Sequence, residues 1–490
     1  MKKSITLSTV AIIATFTATI ICAAEEAPKQ ALLGNYQLIY GKSPVAVESF
    51  SDMFKEGTFY GRLRSNTFMY TWEKETATQE NHVTSGLGGS AIYQSASYSG
   101  FDFGAGLYYS HGYFSIADDN VGLIKPGQDV FSKYNYTHTN TQDMAVLGQA
   151  YINYKSIPKT DIKVGRQLVE TFFTKSNDTK MIPNTFDGAT LQTKALPDTA
   201  VKLAYLTEEK LRAHTDAHSV LMYDNSDIAN KSTWNGNDDS AMHQGLTYTA
   251  LKAAGIDTDA PLMVGDINNK SIENLSLDAS FYQVPSLVSE AMAEANYNIK
   301  MGSFSLTPGV RYIKQFDDGA GEIGGAALSG KLAGKAGISG GYKEANSLES
   351  QMVAARVIGA YNIFKLNLGY SQILDEADLV MPWRAFPTDG YTRSMARTNW
   401  IANTKSYRAE VMINDNKTGV YKDVMMQISA LHTDADETKG QFDENYYYAG
   451  FVQNIPSMTE LQWRLRIGYQ DTKKVDADNV DTRFELNYLF

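Results

Sequence analysis

The chain has 490 residues, of which 44 are basic and 55 acidic, so its formal net charge is −11 and nucleic acid is an improbable partner. Length alone would suggest two or three soluble domains. However, tyrosine (30), phenylalanine (21) and glycine (38) are plentiful while proline (12) is scarce, a composition typical of strands that alternate polar and apolar residues.

Residues 1–24 are predicted to be a secretory signal peptide. Two lysines precede an apolar run, residues 5–21, and small residues follow it, which predicts cleavage after Ala24. A membrane anchor is the alternative, but the run is short and contains five threonines. Cleavage would remove Cys22, the only cysteine, together with two lysines, and leave 42 basic against 55 acidic residues. The mature chain would then form no disulfide and have no thiol chemistry.

Residues 25–57 are predicted to be a periplasmic lead-in with one short helix. Phe50, Met53 and Phe54 are spaced i, i+3 and i+4, which indicates one or two helical turns, and Gly57 is a suitable stop. We interpret this helix as a small plug or lid and not as a catalytic element.

Residues 58–490 alternate polar and apolar side chains with the period of an extended strand. In the first segment Arg62 and Arg64 lie on one face and Leu63 on the other, and the last segment ends the chain on Phe490. Similar segments recur at residues 101–110, 275–281, 304–312, 364–370, 407–413 and 461–469. Amphipathic strands therefore continue from end to end of this region.

The apolar face of these strands needs a cover. A soluble β-sandwich also alternates, but the sequence offers no amphipathic helices to pack on about eighteen apolar faces, so lipid is the expected cover. The predicted fold is all-β: a single transmembrane antiparallel β-barrel with roughly 26 residues per strand and loop. Long polar segments are predicted to be its extracellular loops, at residues 117–140, 167–194, 208–242, 255–270, 375–404 and 434–444.

Two regions carry a more specific resemblance. The first comprises Gly165-Arg166-Gln167, the run Asn177–Phe186 and Gly188; the second comprises Tyr391–Met395 and Asn403–Arg408. In these regions the chain resembles the OprD family of substrate-specific porins, in particular members from epsilon-class bacteria. The resemblance implies an eighteen-stranded barrel whose third long loop, here about Leu168–Gly188, folds into the lumen as an eyelet. It also implies a ladder of basic side chains that attracts the carboxylate of a small solute.

The predicted pore residues combine strand parity with this resemblance. Parity places seven arginines on inward faces: Arg62, Arg64, Arg311, Arg356, Arg408, Arg464 and Arg466. Arg166 and Lys180 flank or lie on the loop, and Glu170 and Asp178 are its expected acids. Many family members have arginine where this chain has Lys180, which keeps the charge but lacks the planar fork. Any one arginine could instead form an ion pair that only stiffens the wall, whereas rings of charge in a narrow passage select solutes by sign and size.

Three motifs suggest other chemistry. His214 and His218 are four residues apart, but a zinc protease needs glutamate directly after the first histidine, and threonine stands there; a surface loop is the alternative. Gly337–Gly341 matches a hydrolase nucleophile elbow around Ser339 without the flanking strand and helix. Asp434–Gly440 lacks the glycine and glutamate of an EF-hand, although loose calcium binding that bridges to lipopolysaccharide stays open.

These patterns together predict an outer-membrane porin that passes small hydrophilic solutes passively, prefers those with a carboxylate, and uses no cofactor, metal or bond chemistry. Its expected partners are the lipid bilayer, lipopolysaccharide, small solutes and, through the strand ending in Phe490, the barrel assembly machinery; a homotrimer stays open. Two alternatives are a surface or adhesion barrel with incidental pore activity and an outer-membrane hydrolase.

Overall fold

The structure is a computed structural model. It describes residues 30–32, 37–40, 44–125, 127–224, 241–330, 340–414 and 423–490. The predicted signal peptide and Ser339 lie outside the described residues. Within these ranges, no helix is long and apolar enough to cross a membrane.

Eighteen long strands form one closed antiparallel barrel in which each strand pairs with its neighbours along the chain. They are β1 Thr58–Trp72, β2 His82–Gln94, β3 Phe101–Phe114, β4 Asp143–Tyr154, β5 Thr160–Gln167, β6 Thr185–Thr193, β7 Thr199–Lys210, β8 Leu262–Asn269, β9 Leu275–Val284, β10 Val288–Tyr297, β11 Phe304–Asp317, β12 Ser350–Tyr361, β13 Phe364–Ile373, β14 Thr404–Ile413, β15 Val424–Asp434, β16 Glu444–Ile455, β17 Met458–Thr472 and β18 Asn479–Leu489. Three short segments, Ala46–Val47, Ser97–Tyr98 and Ile299–Met301, add to the ladder. The predicted fold class is confirmed.

The ring closes between the first and last strands. Leu489 of β18 pairs with Arg62 of β1, and beyond this pair Gly61 and Phe490 exchange two backbone hydrogen bonds of 2.9 and 3.1 Å. A Cβ on Gly61 would lie 2.8 Å from Cζ of the Phe490 ring. Glycine at this position therefore leaves room for the terminal aromatic side chain.

Alternate residues along each strand face the lipid and the lumen. On β2 and β3, Leu87 and Leu107 point outward and are 55% and 60% exposed. On β18, Asp481, Arg483 and Glu485 point inward and are buried. The outside is therefore apolar, as contact with acyl chains requires, and the lumen is charged.

Most connections at one end of the barrel are short and most at the other end are long; residues 285–287, a short turn at the long-loop end, are an exception. Residues 362–363 and 456–457 are two of the short turns, and residues 168–184 and 374–403 are two of the long loops. In outer-membrane barrels the short turns face the periplasm and the long loops face the cell exterior. The start of β1 at Thr58 and the end of β18 at Leu489 therefore both lie on the periplasmic side.

Two predicted loop boundaries are wrong. Residues 255–270 were expected to be a loop, but Leu262–Asn269 form β8. Its outward face carries Met263 and Ile267 on either side of Gly265. This face therefore has too few apolar residues for the strand to be recognised by the alternation of polar and apolar residues alone. The loop expected over Leu168–Gly188, and more widely over residues 167–194, ends at residue 184, because Thr185–Thr193 form β6.

Inward-folded loops fill much of the lumen with an apolar core. Its largest fully buried side chains belong to two loops and the wall, and are Phe173, Tyr282, Trp383 and Tyr391. A second cluster lies against β1–β4 and includes Phe68, Tyr108 and Phe131. The loops therefore leave a passage much narrower than the barrel itself.

The N-terminal segment contacts both faces of the barrel wall. Gln30–Leu32 and Leu38–Tyr40 pair as a small antiparallel hairpin, and Tyr40 stacks on inward-facing Tyr60 with ring centroids 5.2 Å apart. Helix α1, Phe50–Lys55, instead packs on the outer face of β2 and β3. The helix was expected to plug the lumen, but it is the hairpin that enters it.

Candidate functional site

A loop between β5 and β6, residues 168–184, crosses the lumen and binds β1 through Asp178. Arg64 Nη1 donates to Asp178 Oδ1 at 2.7 Å, and Arg62 Nη2 donates to Oδ2. The three side chains are each at most 3% exposed. Hydrogen bonds between ionised partners are stronger than neutral ones, so this contact clamps the loop to the wall.

Two neighbouring contacts fix the tip of the same loop. Asn66 Nδ2 donates to the carbonyls of Thr179 and Lys180, both at 3.1 Å. The Lys180 ammonium is buried: its Nζ lies 4.1 Å from the centroid of the Phe68 ring and 3.9 Å from Asp129 Oδ2. Lys180 therefore braces the loop between the wall and an outer loop.

Glu170, the other acid expected on this loop, is bonded within the loop. Its Oε1 accepts a hydrogen bond from the Ser176 backbone N–H at 2.8 Å and another from the Ser176 hydroxyl. Its backbone carbonyl accepts from Lys202 Nζ of β7 at 2.7 Å. Glu170 thus stabilises the base of the loop against the barrel wall.

A second loop, residues 374–403, also folds inward and is held by two of the predicted arginines. Arg311 Nη1 donates to the Pro387 carbonyl at 2.6 Å, and Arg356 Nη1 donates to the Gly390 carbonyl at 3.0 Å. Both guanidinium groups satisfy backbone acceptors of the loop. Parity placed these two side chains on the lumen side, and their partner there is protein backbone.

Glu294 of β10 and Tyr391 of the second loop hold the same two arginines. Arg311 Nε lies 2.6 Å from Glu294 Oε2, and Arg356 Nη2 lies 3.2 Å from Oε1. The Tyr391 ring centroid is 4.6 Å from the Arg311 guanidinium carbon and 4.5 Å from that of Arg356. The shared carboxylate and aromatic face reduce the repulsion between two neighbouring cations.

Arg408 continues this arrangement on β14. Its Nη1 donates to the Arg393 carbonyl of the second loop, and its Nη2 donates to Glu410 Oε1 at 3.0 Å. The Arg393 guanidinium lies 3.5 Å from the centroid of the Phe386 ring. Arg408 is 7% exposed, so it supports the loop from the wall.

The two inward loops meet at Trp383. Its carbonyl accepts a hydrogen bond from the Lys175 N–H at 3.0 Å, and its indole Nε1 donates to the Val220 carbonyl at 2.6 Å. Its ring packs edge-on against Tyr282 with centroids 4.5 Å apart. Trp383 therefore joins both loops, a third outer segment and the wall.

Charged residues of β17 and β18 continue the wall beside the Asp178 clamp. Arg466 Nη2 is paired with Glu485, and Arg64 Nη2 lies 3.7 Å from Glu485 Oε2. Arg483 forms a forked contact with Asp481, with Nε 2.9 Å from Oδ1 and Nη2 2.5 Å from Oδ2. The predicted pore residues did not include Arg483 and Glu485, although parity in the final strand already put both on its polar face.

Arg166 does not lie in the lumen, where it was expected with the loop. It pairs across the ladder with Ala150, and the next pair on the same face is Val164 with Ile152; these two residues are 55% and 60% exposed to the outside. The Arg166 guanidinium forks onto Asp187, with Nε 2.7 Å from Oδ1. The predicted loop began after Arg166, but the residue was grouped with the loop's pore charges, whereas its place in β5 gives it the outward parity of Val164.

A cavity of about 630 Å³ lies under the base of the first loop. Its lining includes three lysines, Lys155, Lys163 and Lys202, two carboxylates, Asp161 and Glu170, and Gln37 of the N-terminal hairpin. A polar chamber with charges of both signs thus lies on the periplasmic side of the narrowed region.

His214 and His218 are buried and not on the surface as the simpler interpretation expected. Nδ1 of His214 lies 2.8 Å from Nε2 of His218. Burial lowers the pKa of His214 to about 3 and that of His218 well below its usual range, so both rings are neutral at physiological pH and can share one hydrogen bond. In the described part of the chain, no three His, Cys, Asp or Glu side chains group as a metal site.

The segment that resembled a calcium loop is occupied by a lysine. Lys439 Nζ donates to Asp375 Oδ1 and Asp436 Oδ2, both at 2.9 Å, and to the Gly341 carbonyl at 2.7 Å. Lys439 is 5% exposed. This ammonium ties three outer loops together in the place where a bound cation was considered.

Replacing Lys439 with methionine is expected to loosen the outer loops. The variant keeps the length of the side chain but removes the cation that Asp375 and Asp436 share, while Asp375 keeps its contact with Lys343. Because both carboxylates are partly exposed, the loss is expected to cost on the order of 1 kcal/mol. Limited proteolysis of the refolded barrel should then cleave these loops faster. Lys343→Met is the matched control, because Lys343 is exposed and contacts only one of the two carboxylates, at 3.0 Å; equal cleavage of both variants would contradict the assignment.

Comparison with known proteins identifies the relatives of this chain. A protein-family model described as "outer membrane porin, OprD family" matches residues 127–381, which is more than half of the chain. No curated protein sequence matches it.

Three of the solved structures that share this fold come from two bacteria. The structure of Pseudomonas aeruginosa OpdK with vanillate has 13% sequence identity and a TM-score of 0.63, and the match covers 89% of this chain and 99% of that one. P. aeruginosa OccK8 (OprE) has 14% identity and a TM-score of 0.64 over 89% and 99%. Acinetobacter baumannii OccAB4 has 13% identity and a TM-score of 0.65 over 89% and 98%.

Proposed function

Because the chain belongs to the OprD family of outer-membrane porins, we propose that it is a passive, moderately selective channel for small hydrophilic solutes that carry a carboxylate. It is a closed barrel of the bacterial outer membrane, and its family and fold are those of porins. The observation that carries the proposal is the excess of guanidinium groups over carboxylates on the inward wall beside the Asp178 clamp.

This wall combines arginines and acids from four strands and one loop. The arginines are Arg62, Arg64, Arg408, Arg464, Arg466 and Arg483, and the acids are Asp178, Glu410, Asp481 and Glu485. Six positive groups against four negative ones leave two positive charges in excess. Low-dielectric walls focus such a field inside a narrow passage, so a carboxylate is attracted and a cation is repelled.

The acidic balance of the whole chain does not cancel this field. Charges on exposed outer loops are screened within about 8 Å at physiological salt. Charges in the narrowed lumen are buried and are screened much less. The charges of the eyelet therefore determine which solutes are preferred more than the charges of the exposed outer loops do.

The basic residues of the lumen, those predicted from the sequence together with Arg483, divide into two roles in this proposal. Arg464, Arg466 and Arg483 contribute to the field that the solute meets. The remaining lumenal basic residues fix the inward loops, and their charges add to that field from positions behind these loops: Arg62, Arg64, Lys180, Arg311, Arg356 and Arg408. The OpdK structure contains vanillate, an aromatic carboxylate, which supports carboxylates as the solute class for this chain as well.

The test compares benzoate with benzamide, which has the same size but no charge, in a permeation assay on proteoliposomes. We expect benzoate to permeate faster, and the double variant Arg464→Gln/Arg466→Gln to slow benzoate by roughly tenfold while benzamide is unaffected. Arg166→Gln is the matched control and should change neither rate, because Arg166 is on the outer face. Equal rates for the two solutes, or a barrel that passes neither, would refute the proposal.

A further inference from the structure

Helix α1 lies outside the barrel at its periplasmic rim. The Tyr93 hydroxyl of β2 donates to the Phe54 carbonyl at 2.7 Å, and the Phe54 ring packs on Phe103 of β3 with centroids 5.4 Å apart. Tyr93 and Phe103 share the parity of outward Leu87 and Leu107 on these strands. The helix therefore covers the wall from the lipid side, next to the short turn between β2 and β3.

The helix is amphipathic, and its apolar face is only partly used against the wall. Met53 is buried, whereas Phe50 is 63% and Phe54 49% exposed. Their rings contact each other edge-on, with centroids 5.3 Å apart. Polar residues Ser51 and Lys55 occupy the other side. Two large aromatic rings on one face of the helix thus touch the wall at one edge, Phe54 at Phe103 and Phe50 at Tyr98, and leave about half or more of their surface exposed.

This aromatic face is continuous with the lipid-facing band of the barrel. Phe59 of β1 is 63% exposed and packs against the terminal Phe490 ring with centroids 6.4 Å apart. Phe101 of β3 is 48% exposed and contacts Tyr154 with centroids 4.7 Å apart. Such rings form the aromatic girdle that marks the boundary between acyl chains and headgroups.

We propose that α1 is an interfacial anchor that inserts Phe50 and Phe54 into the periplasmic leaflet of the outer membrane, at the headgroup boundary of its phospholipids. An amphipathic helix lies in this plane when its apolar side is buried in the boundary and its polar side stays in water. The helix extends the girdle sideways beyond the wall of β2 and β3. It also fixes the point at which the chain passes from the lumenal hairpin to β1.

The experiment measures the depth of single residues with a fluorescent probe. Single-cysteine variants Phe54→Cys and Ser51→Cys, made with Cys22→Ala, are labelled with nitrobenzoxadiazole and reconstituted in phosphatidylethanolamine and phosphatidylglycerol vesicles. Some of these phospholipids carry a nitroxide quencher on the acyl chain. We expect several-fold stronger lipid quenching at position 54 than at position 51, and the reverse order with aqueous iodide.

Two reporters outside the helix calibrate the quenchers. Phe59 of β1 is 63% exposed on the outward face beside Phe490, so a probe on Phe59→Cys should be quenched from the lipid phase, while Val475→Cys in an outer loop should not be quenched from the periplasmic leaflet. Equal iodide quenching at positions 51 and 54 would overturn the anchor, because the helix would then lie in water. Protection of position 54 from both quenchers, together with energy transfer between labelled chains, would also overturn the anchor, because the helix would then contact a second copy of this chain.

Discussion

Replacing Asp178 with asparagine is expected to raise single-channel conductance and shift the reversal potential toward anion preference. The substitution removes the negative partner of Arg62 and Arg64 in a dry site, and breaking a buried pair from one side costs roughly 3 to 5 kcal/mol. The loop tip should be held less firmly to the wall, because its remaining contacts there are the hydrogen bonds from Asn66, long bonds from Arg64 to the Asp178 carbonyl and the packing of Lys180 on Phe68. Conductance steps in planar bilayers under a salt gradient measure both effects.

Asp119→Asn provides the matched control for this experiment. Asp119 is an exposed carboxylate on the outer loop between β3 and β4, so the same chemical change there should leave both quantities close to those of the parent chain. A conductance for Asp178→Asn equal to that of the control would show that the clamp does not limit the passage.

Replacing Trp383 with alanine is expected to destabilise the lumen core and increase the fluctuations of the single-channel current. A fully buried tryptophan that is truncated to alanine typically costs 3 to 5 kcal/mol, and here both inward loops lose their common contact. The open state should fluctuate between sublevels and have a higher mean conductance, while the barrel strands stay paired. Current recordings at constant voltage, together with the circular dichroism of the refolded protein, distinguish these outcomes.

Trp463→Ala is the companion variant for the second experiment. Trp463 lies on the outward face of β17 and donates to Gln453 at 2.9 Å, so its loss should leave the current traces unchanged. A Trp383→Ala channel with a steady current and the conductance of the parent chain would mean that the two loops hold their positions independently of this side chain.

The barrel was predictable because lipid imposes a simple rule on every strand. Outward residues must be apolar along the whole length, so the period of two is visible from Thr58 to Phe490 even without homologues. The rule failed at β8, where Gly265 interrupts the outward stripe. The rule also left the contacts of lumen-facing residues undetermined. Such a residue can form an ion pair, pack in an apolar core or face open space without changing its parity.

The internal arrangement of the site depends on contacts between distant parts of the chain. Asp178 meets Arg62 across 116 positions, and Trp383 meets Val220 across 163, so no local pattern indicates either pair. Parity placed Arg311 and Arg356 on the correct face, but it could not indicate that both would bind the Glu294 carboxylate and the backbone carbonyls of a loop. His214 and His218 were misjudged because exposure was inferred from a polar neighbourhood, whereas the inward loops cover them.

The bonds between Gly61 and Phe490 also bear on the order of folding. These residues stand 429 positions apart, since 490 minus 61 is 429, and they are the outermost pair of the seam. Every other neighbouring pair of long strands is joined by a connection within the chain, and closing a long loop carries more entropy cost than closing a short one. The hairpins can therefore assemble progressively, whereas completion of the cylinder requires that β18 meet β1 after every intervening strand is in place.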